Sequence, residues 1–597
     1  MRKLSIIIFC LYQISSAQYV VQSPYLDTPA LAIGYVDSCA KLWTKAYEPT
    51  YGGFYTNIDR KGNLKTSSGT SKNTLNQSRD AYGFIRAFML TGNEDYLIYA
   101  RHALDFMYKN AWDKTYGGWF NDINNIGTSS KPMDNKTAYY QHYALLGITA
   151  SYEATRDSSD LSWLMKSYAF NNEKFWDSRL QYFGYYDNIK YDGTNPSDKS
   201  FNATVDAITT HVLHLYLMTG DSVYKARLLQ LADNMLTHLV ASVPGQVIGF
   251  AEIYDANWGW KSSETMTIMG HVLKTAWCLA RIYQLNADTS YLSAAEGLVK
   301  LVWDKGYDHQ FGGPYKDYNR VTGQMLMWGV ADTAKAWWQM EQAVTAGLML
   351  YQITGKTVYL QMADESLDFF MKYFVDHVYG DVYADRTRYG KQIAAWGDDK
   401  GNSGKAGYHS IELGYYVYLY GKLLLKHEAA TLYYSFRADS TLRKFKMTPI
   451  SLPDAQLRIK EVKIKDSVYT NVDYVHRVLT IPPGVEGTFS VTYESAIPTS
   501  IALSSAVSPP AQFELAQNYP NPFNPTTHLR FTIANLQFVT LKVFDVLGRE
   551  VATLVDGEKE TGAYQVTFDA SSLTSGVYFY RISAGDFSAT KKMLLLR

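Results

Sequence analysis

Apolar residues recur at i, i+3, i+4 and i+7 in stretch after stretch of this chain, as in YLIYARHALDFMYKNAW from 96 and AVTAGLMLYQ from 343. That spacing gives a helix one apolar stripe. Such stretches begin near 28, 74, 95, 136, 158, 203, 221, 266, 288, 333, 356 and 407, so twelve helices are predicted. Two kinds of punctuation separate them. One is a short Gly, Asn or Asp turn: LTGNEDYL at 90, EATRDSSDL at 153, LMTGDSVY at 217, LNADTSYL at 285, QITGKTVYL at 352. The other is a long aromatic loop: YGGFYTNIDRKGN at 51, YGGWFNDINN at 116, YFGYYDNIKYDG at 182, GFAEIYDANW at 249, FGGPYKDYNRVTG at 311 and YGDVYADRTRYG at 379.

These loops start 65, 66, 67, 62 and 68 residues apart, a fixed period that marks a repeat architecture. Two helices per repeat from about 25 to 427 predict six hairpins closed into an (α/α)6 toroid, with six helices inside and six outside. Each long loop joins an outer helix to the next inner one. All six should therefore gather on one face, around the N-terminal ends of the inner helices.

After residue 427 the period changes. LRIKEVKIKDSVYTNVDYVHRVLTIPPGVEGTFSVTYES alternates polar and apolar residues between Pro-Gly turns, which predicts a small β-sandwich over 428–500. ALSSAVSPPAQ reads as a linker at 501–511, and strands at LRFTI, TLKVFDV, AYQVTFD, GVYFYRI and KKMLLL make a third module over 512–597. The expected class is mainly α, a toroid followed by two β-sandwich modules.

The first 17 residues, two basic side chains, an apolar run, then Ser15 and Ala17 before a cut, read as a secretory signal peptide. Its removal leaves Cys39 and Cys278, too few for a disulfide framework or a zinc site. No later run of 18 apolar residues predicts a transmembrane segment. Lys and Arg total 57, as do Asp and Glu, so charge offers no case for nucleic acid or an anionic membrane. The 49 Tyr and 13 Trp suit sugar faces as well as ordinary cores.

Chemistry is expected from polar groups on the inner helices. Arg79 stands in the first turns of the second helix; Asn202, Asp206 and His211 stand close to one face of the sixth; His271 and His409 open the eighth and twelfth. A lone histidine on an apolar helix is most often a satisfied core residue. Two in one layer of a ring, with an arginine, favour a site.

Two resemblances sharpen this reading. FELAQNYPNPFNPTT, VFDVLGREVATLV, LTSGVYFYRI and the KKMLLLR tail resemble the C-terminal sorting domains read by type IX secretion machinery of Bacteroidetes-like bacteria, themselves similar to FlgD-type Ig-like domains. This implies export to the cell surface or medium. QSRDAYGFIRAF, KTAYYQHYAL, KSFN, GHVLKTAW, WWQMEQA and YHSIE fall in the order and spacing of the N-acylglucosamine 2-epimerase superfamily, which includes cellobiose 2-epimerases and mannose isomerases.

By that resemblance His271, His409 and Arg79 are catalytic, and Asn202, Asp206, Tyr139, Trp337, Trp338 and Tyr408 bind a carbohydrate substrate. One imidazole removes the C2 proton of an open-chain sugar and the other returns it, with no cofactor or metal. Three positions depart from the pattern. Asp206 stands where cellobiose epimerases have histidine, Lys274 where they have an acid, and Gln342 at the glutamate of the Trp-Trp motif unless the register slips onto Glu341. A hydrolase would instead need two carboxyl groups, for which Asp206, Asp80, Asp332 and Glu341 are available. A non-catalytic glycan-binding cup is the third reading.

Overall fold

The computed structural model describes residues 19–496 and 513–596, apart from 241–245, 328–329, 332, 395–396, 450–451, 453–455, 516, 519–520, 560–561 and 586. The predicted signal peptide and linker lie outside the described residues. The chain divides into two compact units, Met1–Ala496 and Ile497–Arg597.

The first unit is a helical toroid. Six helices alternate with six others: α1 (Leu31–Trp43), α2 (Thr74–Thr91), α3 (Asp95–Phe106), α4 (Ala138–Thr155), α5 (Ser158–Lys174), α6 (202–219), α7 (Ser222–Asn234), α8 (Met269–Asn286), α9 (Thr289–Leu301), α10 (Trp337–Thr354), α11 (Thr357–Phe369) and α12 (His409–Leu419). The even-numbered helices touch in cyclic order, and α12 returns to α2, so the ring closes. They are buried on nearly every side: every residue of α2 from Thr74 to Leu90 is buried. The odd-numbered helices keep an exposed face, which is the two-sided burial expected of an inner and an outer circle.

Helix α6 is unusual. It opens in two π turns, Asn202–Asp206 and Ile208–Val212, before regular α geometry begins at Leu213.

One device recurs in the long loops. An acid a few residues past the outer helix accepts the backbone N–H groups of the turn that follows, as Glu48 does from Thr50 and Tyr51, and Asp113 from Thr115 and Tyr116. The same acid is buried against a lysine two residues before the next inner helix: Lys72 with Glu48 at 2.9 Å, Lys136 with Asp113 at 2.9 Å, Lys199 with Asp177 at 3.1 Å, Lys335 with Asp308 at 3.2 Å. The last loop uses Lys400 with Asp376 and Lys405 with Asp381. Thr267 takes the lysine position in the fourth loop. Gly52 and Gly53, both at positive φ, let the chain double back under the acid, a conformation that costs any other residue.

The loops also interlock. The two residues before an inner helix pair as a short antiparallel strand with the next loop, Lys72–Asn73 with Asp122–Ile123 and Lys199–Ser200 with Ile253–Tyr254. Ile58 bridges to Gly401 and closes the circuit, which puts all six loops on one face. These strands explain why helices expected from 136, 266 and 333 begin at Ala138, Met269 and Trp337.

The strands of 430–496 form two antiparallel sheets. Their core residues Leu432, Tyr434, Phe489 and Tyr493 belong to the same buried cluster as the toroid. The sheet lies at the C-terminal ends of the inner helices. A side chain on Gly92 would meet the Tyr433 ring, Arg156 donates to Lys446 O at 3.0 Å, and Gln352 bonds Gln456 at 2.7 Å. It floors the toroid opposite the loops. The second unit has its own core, from Leu515 to Leu595, between sheets of three and four strands.

Ending the chain after Ala496 is therefore expected to leave the thermal midpoint of the remainder within about 2 °C, whereas ending it after His427 uncovers the floor and should lower the midpoint by more than about 10 °C. Calorimetry of the two truncations checks this. An unchanged midpoint in the shorter one would make the sheet an appendage.

Candidate active site

The N-terminal turns of the inner helices converge on a cavity of about 210 Å³, lined by Arg79, Tyr139, Tyr143, Asn202, Asp206, His271, Lys274, Trp337, Trp338, Gly404 and His409. At about 30 Å³ per water, that is room for roughly seven waters, or one sugar ring with its hydroxyls. All five even-numbered helices from α2 to α10 contribute, and α12 adds His409.

Each histidine is held by a carboxylate. His271 Nδ1 lies 2.8 Å from Glu252 Oε2, and His409 Nδ1 lies 3.2 Å from Glu341 Oε2. Both carboxylates already act as acceptors: Glu252 Oε1 takes the Ile268 N–H at 3.0 Å, and Glu341 takes the Thr345 hydroxyl at 2.7 Å and the Gln342 amide. A carboxylate only accepts, so Nδ1 of each ring is the nitrogen that carries hydrogen toward it. Burial, then the Arg79 and Lys274 cations, holds the His409 imidazolium well below the usual histidine range, so this ring is neutral at pH 7.

Trp338 connects the two dyads, its ring centroid 5.2 Å from His271 and 6.1 Å from His409. Glycine at 270 permits this, because a Cβ there would stand 2.5 Å from the indole. Phe201 stacks on His271 at 3.8 Å from behind.

Arg79 donates to Gly404 O at 2.6 Å and to the Tyr139 hydroxyl at 3.1 Å, over the Tyr143 ring at 4.2 Å. Its Nε has no partner. The guanidinium is thus fixed at the wall, and no carboxylate among the described residues forms an ion pair with it, which leaves it a ready partner for a developing oxyanion.

Asp206 and Lys274, the two departures from the family pattern on facing helices, are partners. Lys274 Nζ lies 2.6 Å from Asp206 Oδ1 and donates to the Tyr143 hydroxyl at 3.1 Å; Asn202 Nδ2 donates to Asp206 Oδ2 at 2.8 Å. Both charges are buried and cancel.

Other expectations are corrected by position. Tyr408 does not line the cavity: it is buried behind Arg79, against Tyr82 at 5.0 Å. His211 does not line the cavity with Asn202 and Asp206. It is fully buried, stacked on His142 at 5.3 Å. Asp80 turns from the cavity to accept the Gly407 N–H at 2.9 Å, and burial pushes its carboxyl up to about 8. Asp332 lies outside the described residues. Gln342 accepts the Trp277 indole N–H at 2.6 Å, so the carboxylate that reaches a histidine is Glu341.

Glu252 and Tyr143 were not singled out from sequence. Glu252 sits in a loop whose strand pairs with the residues entering α6, and only that pairing carries it to His271, 19 residues on. Among the described residues one cluster, Glu341, His409 and Glu412, has donor atoms close enough for a metal ion. Glu341 already bonds Thr345, Gln342 and His409, and Glu412 takes the Tyr82 hydroxyl on Oε1.

Residues 53–412 match the family model of N-acylglucosamine 2-epimerase. The chain belongs to that family. It is an enzyme of the isomerase class, built on a helical toroid. Cellobiose 2-epimerase of Bacteroides fragilis is 21% identical over 368 residues, 60% of this chain and 90% of that one, and the Ruminococcus albus enzyme is 22% identical over 393 residues, 60% and 92%. Among solved structures, a D-mannose isomerase aligns with a TM-score of 0.59 at 19% identity, covering 66% of this chain and 99% of that one. The cellobiose 2-epimerase of Bacillus thermoamylovorans aligns with 0.57 at 16%, covering 66% and 99%. Residues 517–596 match a secretion system C-terminal sorting domain, which indicates export to the surface or medium. No helix among the described residues is long and apolar enough to cross a membrane.

Breaking one partner of the Asp206–Lys274 pair leaves a buried charge alone, so Lys274→Met should cost roughly 3–5 kcal/mol, and adding Asp206→Leu should recover most of it. Denaturant unfolding of both single variants and the double checks this. Additive losses would mean the two charges do not depend on each other.

Proposed function

We propose that this exported family member moves a proton at C2 of a reducing mono- or oligosaccharide, giving the 2-epimer or the ketose. The toroid is taken as an (α/α)6 ring of six hairpins over 25–427, preceded by a signal peptide at 1–17 and followed by a module at 428–500, a linker at 501–511 and an Ig-like sorting module at 512–597. The observation that carries the reading is the pair of imidazoles, His271 and His409, each held at Nδ1 by a carboxylate and both lining one sugar-sized cavity with Arg79.

In the open-chain sugar the C1 aldehyde acidifies the C2 proton. One imidazole Nε2 accepts that proton, and the electron pair moves toward the carbonyl oxygen to give an enediol anion, which Arg79 holds by a charge-assisted hydrogen bond. For the epimer the other ring first takes a proton from solvent on its Nε2 and delivers it to the opposite face of C2, while the first ring gives its proton up to solvent; for the ketose the first ring hands its own proton to C1. Trp337, Trp338 and Tyr139 offer flat faces to the ring, while Asn202 and Asp206 offer polar contacts for hydroxyls. Cellobiose 2-epimerases and a D-mannose isomerase among the similar proteins support a sugar of this kind.

A hydrolase is less well supported. Its chemistry needs two carboxyl groups facing each other across the cleft. The carboxylate lining this cavity is Asp206, which Lys274 and Asn202 already occupy.

Incubation with reducing sugars in deuterated water is expected to place deuterium at C2 of the product. His271→Asn and His409→Asn should each lower that rate by roughly a hundredfold to ten-thousandfold. New reducing ends without deuterium at C2, dependent on Asp206, would contradict the reading.

A further inference from the structure

Directly behind His409 lies a second carboxyl, Glu412, one turn further along α12. Donor atoms of Glu341, His409 and Glu412 all lie within 4.8 Å of one another, and all three side chains are buried. Two carboxylates this close in a medium of low dielectric cannot both ionise, so the pair holds at least one proton.

The hydrogen bonds decide where it resides. Glu341 receives three donors, from Thr345, Gln342 and His409. Glu412 takes the Tyr82 hydroxyl at 2.8 Å on Oε1 and has the Tyr408 hydroxyl beside it, while its Oε2 has no donor within hydrogen-bond distance among the described residues. An ionised oxygen buried without a donor is costly, whereas a protonated one is not.

The surroundings agree. Lys274 from α8 and Arg86 from α2 are the cations that face Glu412, with the Tyr82 and Tyr408 hydroxyls. Arg86 is committed to Glu153 at 2.7 Å and Lys274 to Asp206 at 2.6 Å. Neither is left to neutralise a second anion.

We propose that Glu341 and Glu412 share one proton, resident on Glu412, and that Glu412 is a positioning residue acting through Glu341. A neutral Glu412 lets Glu341 stay ionised. Ionised Glu341 holds His409 in its Nδ1–H form, leaving Nε2 as the base. Burial raises both carboxyls above the usual range, Glu341 the further, which is consistent with one retained proton; the donors on Glu341 and the bare Oε2 of Glu412 place it on Glu412.

The consequence for activity rests on the proton transfer proposed above; the location of the proton does not. Infrared difference spectroscopy of the whole protein at pH 7 reads it without sugar. The carbonyl stretch of a protonated carboxyl, shifting in deuterated water, should disappear in Glu412→Gln and persist in Glu341→Gln. Its persistence in Glu412→Gln, or its loss only in Glu341→Gln, overturns the proposal, as does a wild-type spectrum in which neither variant changes that region.

Asp80 is expected to contribute a separate band that neither variant alters. Should Glu412→Gln not fold, Tyr82→Phe decides: removing its hydroxyl should shift the Glu412 band, and an unmoved spectrum overturns the proposal.

Deuterium exchange at C2 then tests the link to His409. Glu412→Gln, a neutral mimic, should retain exchange within about threefold, while Glu341→Gln should lose roughly a hundredfold or more through the wrong histidine tautomer. A folded Glu412→Gln as inactive as Glu341→Gln would refute the positioning role. If wild type exchanges no sugar, the reading of function fails while the infrared result still stands or falls alone.

Discussion

A lysine ammonium buried against the acid that follows the preceding outer helix is the contact on which the cup depends. A buried pair of this kind adds little net stability, because desolvation offsets most of the attraction, but breaking it is expensive. Its effect is to fix geometry. Glu48, Asp113, Asp177 and Asp308 each tie a tight turn through backbone N–H groups and then hold Lys72, Lys136, Lys199 and Lys335 at the entrance to an inner helix. With the short strand pairings between successive loops, this brings the first turns of six helices to one depth.

The active cavity follows from that arrangement. Arg79, Tyr143, Asp206, Lys274, Glu341 and His409 each lie within the first two turns of their helices, so the ring presents them at one level. The fourth loop, where Thr267 replaces the lysine, is the one that leads into His271. Its neighbourhood also carries Glu252, whose backbone carbonyl receives the Phe201 N–H while its side chain holds the histidine. The same strand therefore anchors α6 and orients the His271 ring on α8. On the opposite side the sheet of 430–496 closes the ring, so the buried Arg86, Glu153 and Glu412 are kept from water. That enclosure makes the carboxyl pair behind His409 share a proton.

Much of the fold was legible because its period is long and regular. Twelve helix starts fall within four residues of the observed ones, and those at 136, 266 and 333 are displaced by short strands that carry no pattern of their own. Two residues paired across loops leave no trace in hydrophobic periodicity. The site was legible where a histidine or arginine stood on an otherwise apolar helix. It was not legible where the decisive group came from another repeat, as with Glu252. Register within a helix was only half readable: Gln342 and Glu341 differ by 100° of rotation, and packing of Gln342 against Trp277 settles which one meets His409. His211 looked like a site residue because it shares a helix with Asn202 and Asp206, and burial beside His142 disposes of it.

The central claim is that two imidazoles, each fixed through Nδ1 by a carboxylate, present free Nε2 atoms to one cavity. Nitrogen-15 resonances of the histidines in uniformly ring-labelled protein, assigned with His271→Asn and His409→Asn, report the position of each ring hydrogen directly. The account predicts that at pH 7.5 both His271 and His409 carry hydrogen on Nδ1 and none on Nε2. Hydrogen on Nε2 of either ring would contradict it.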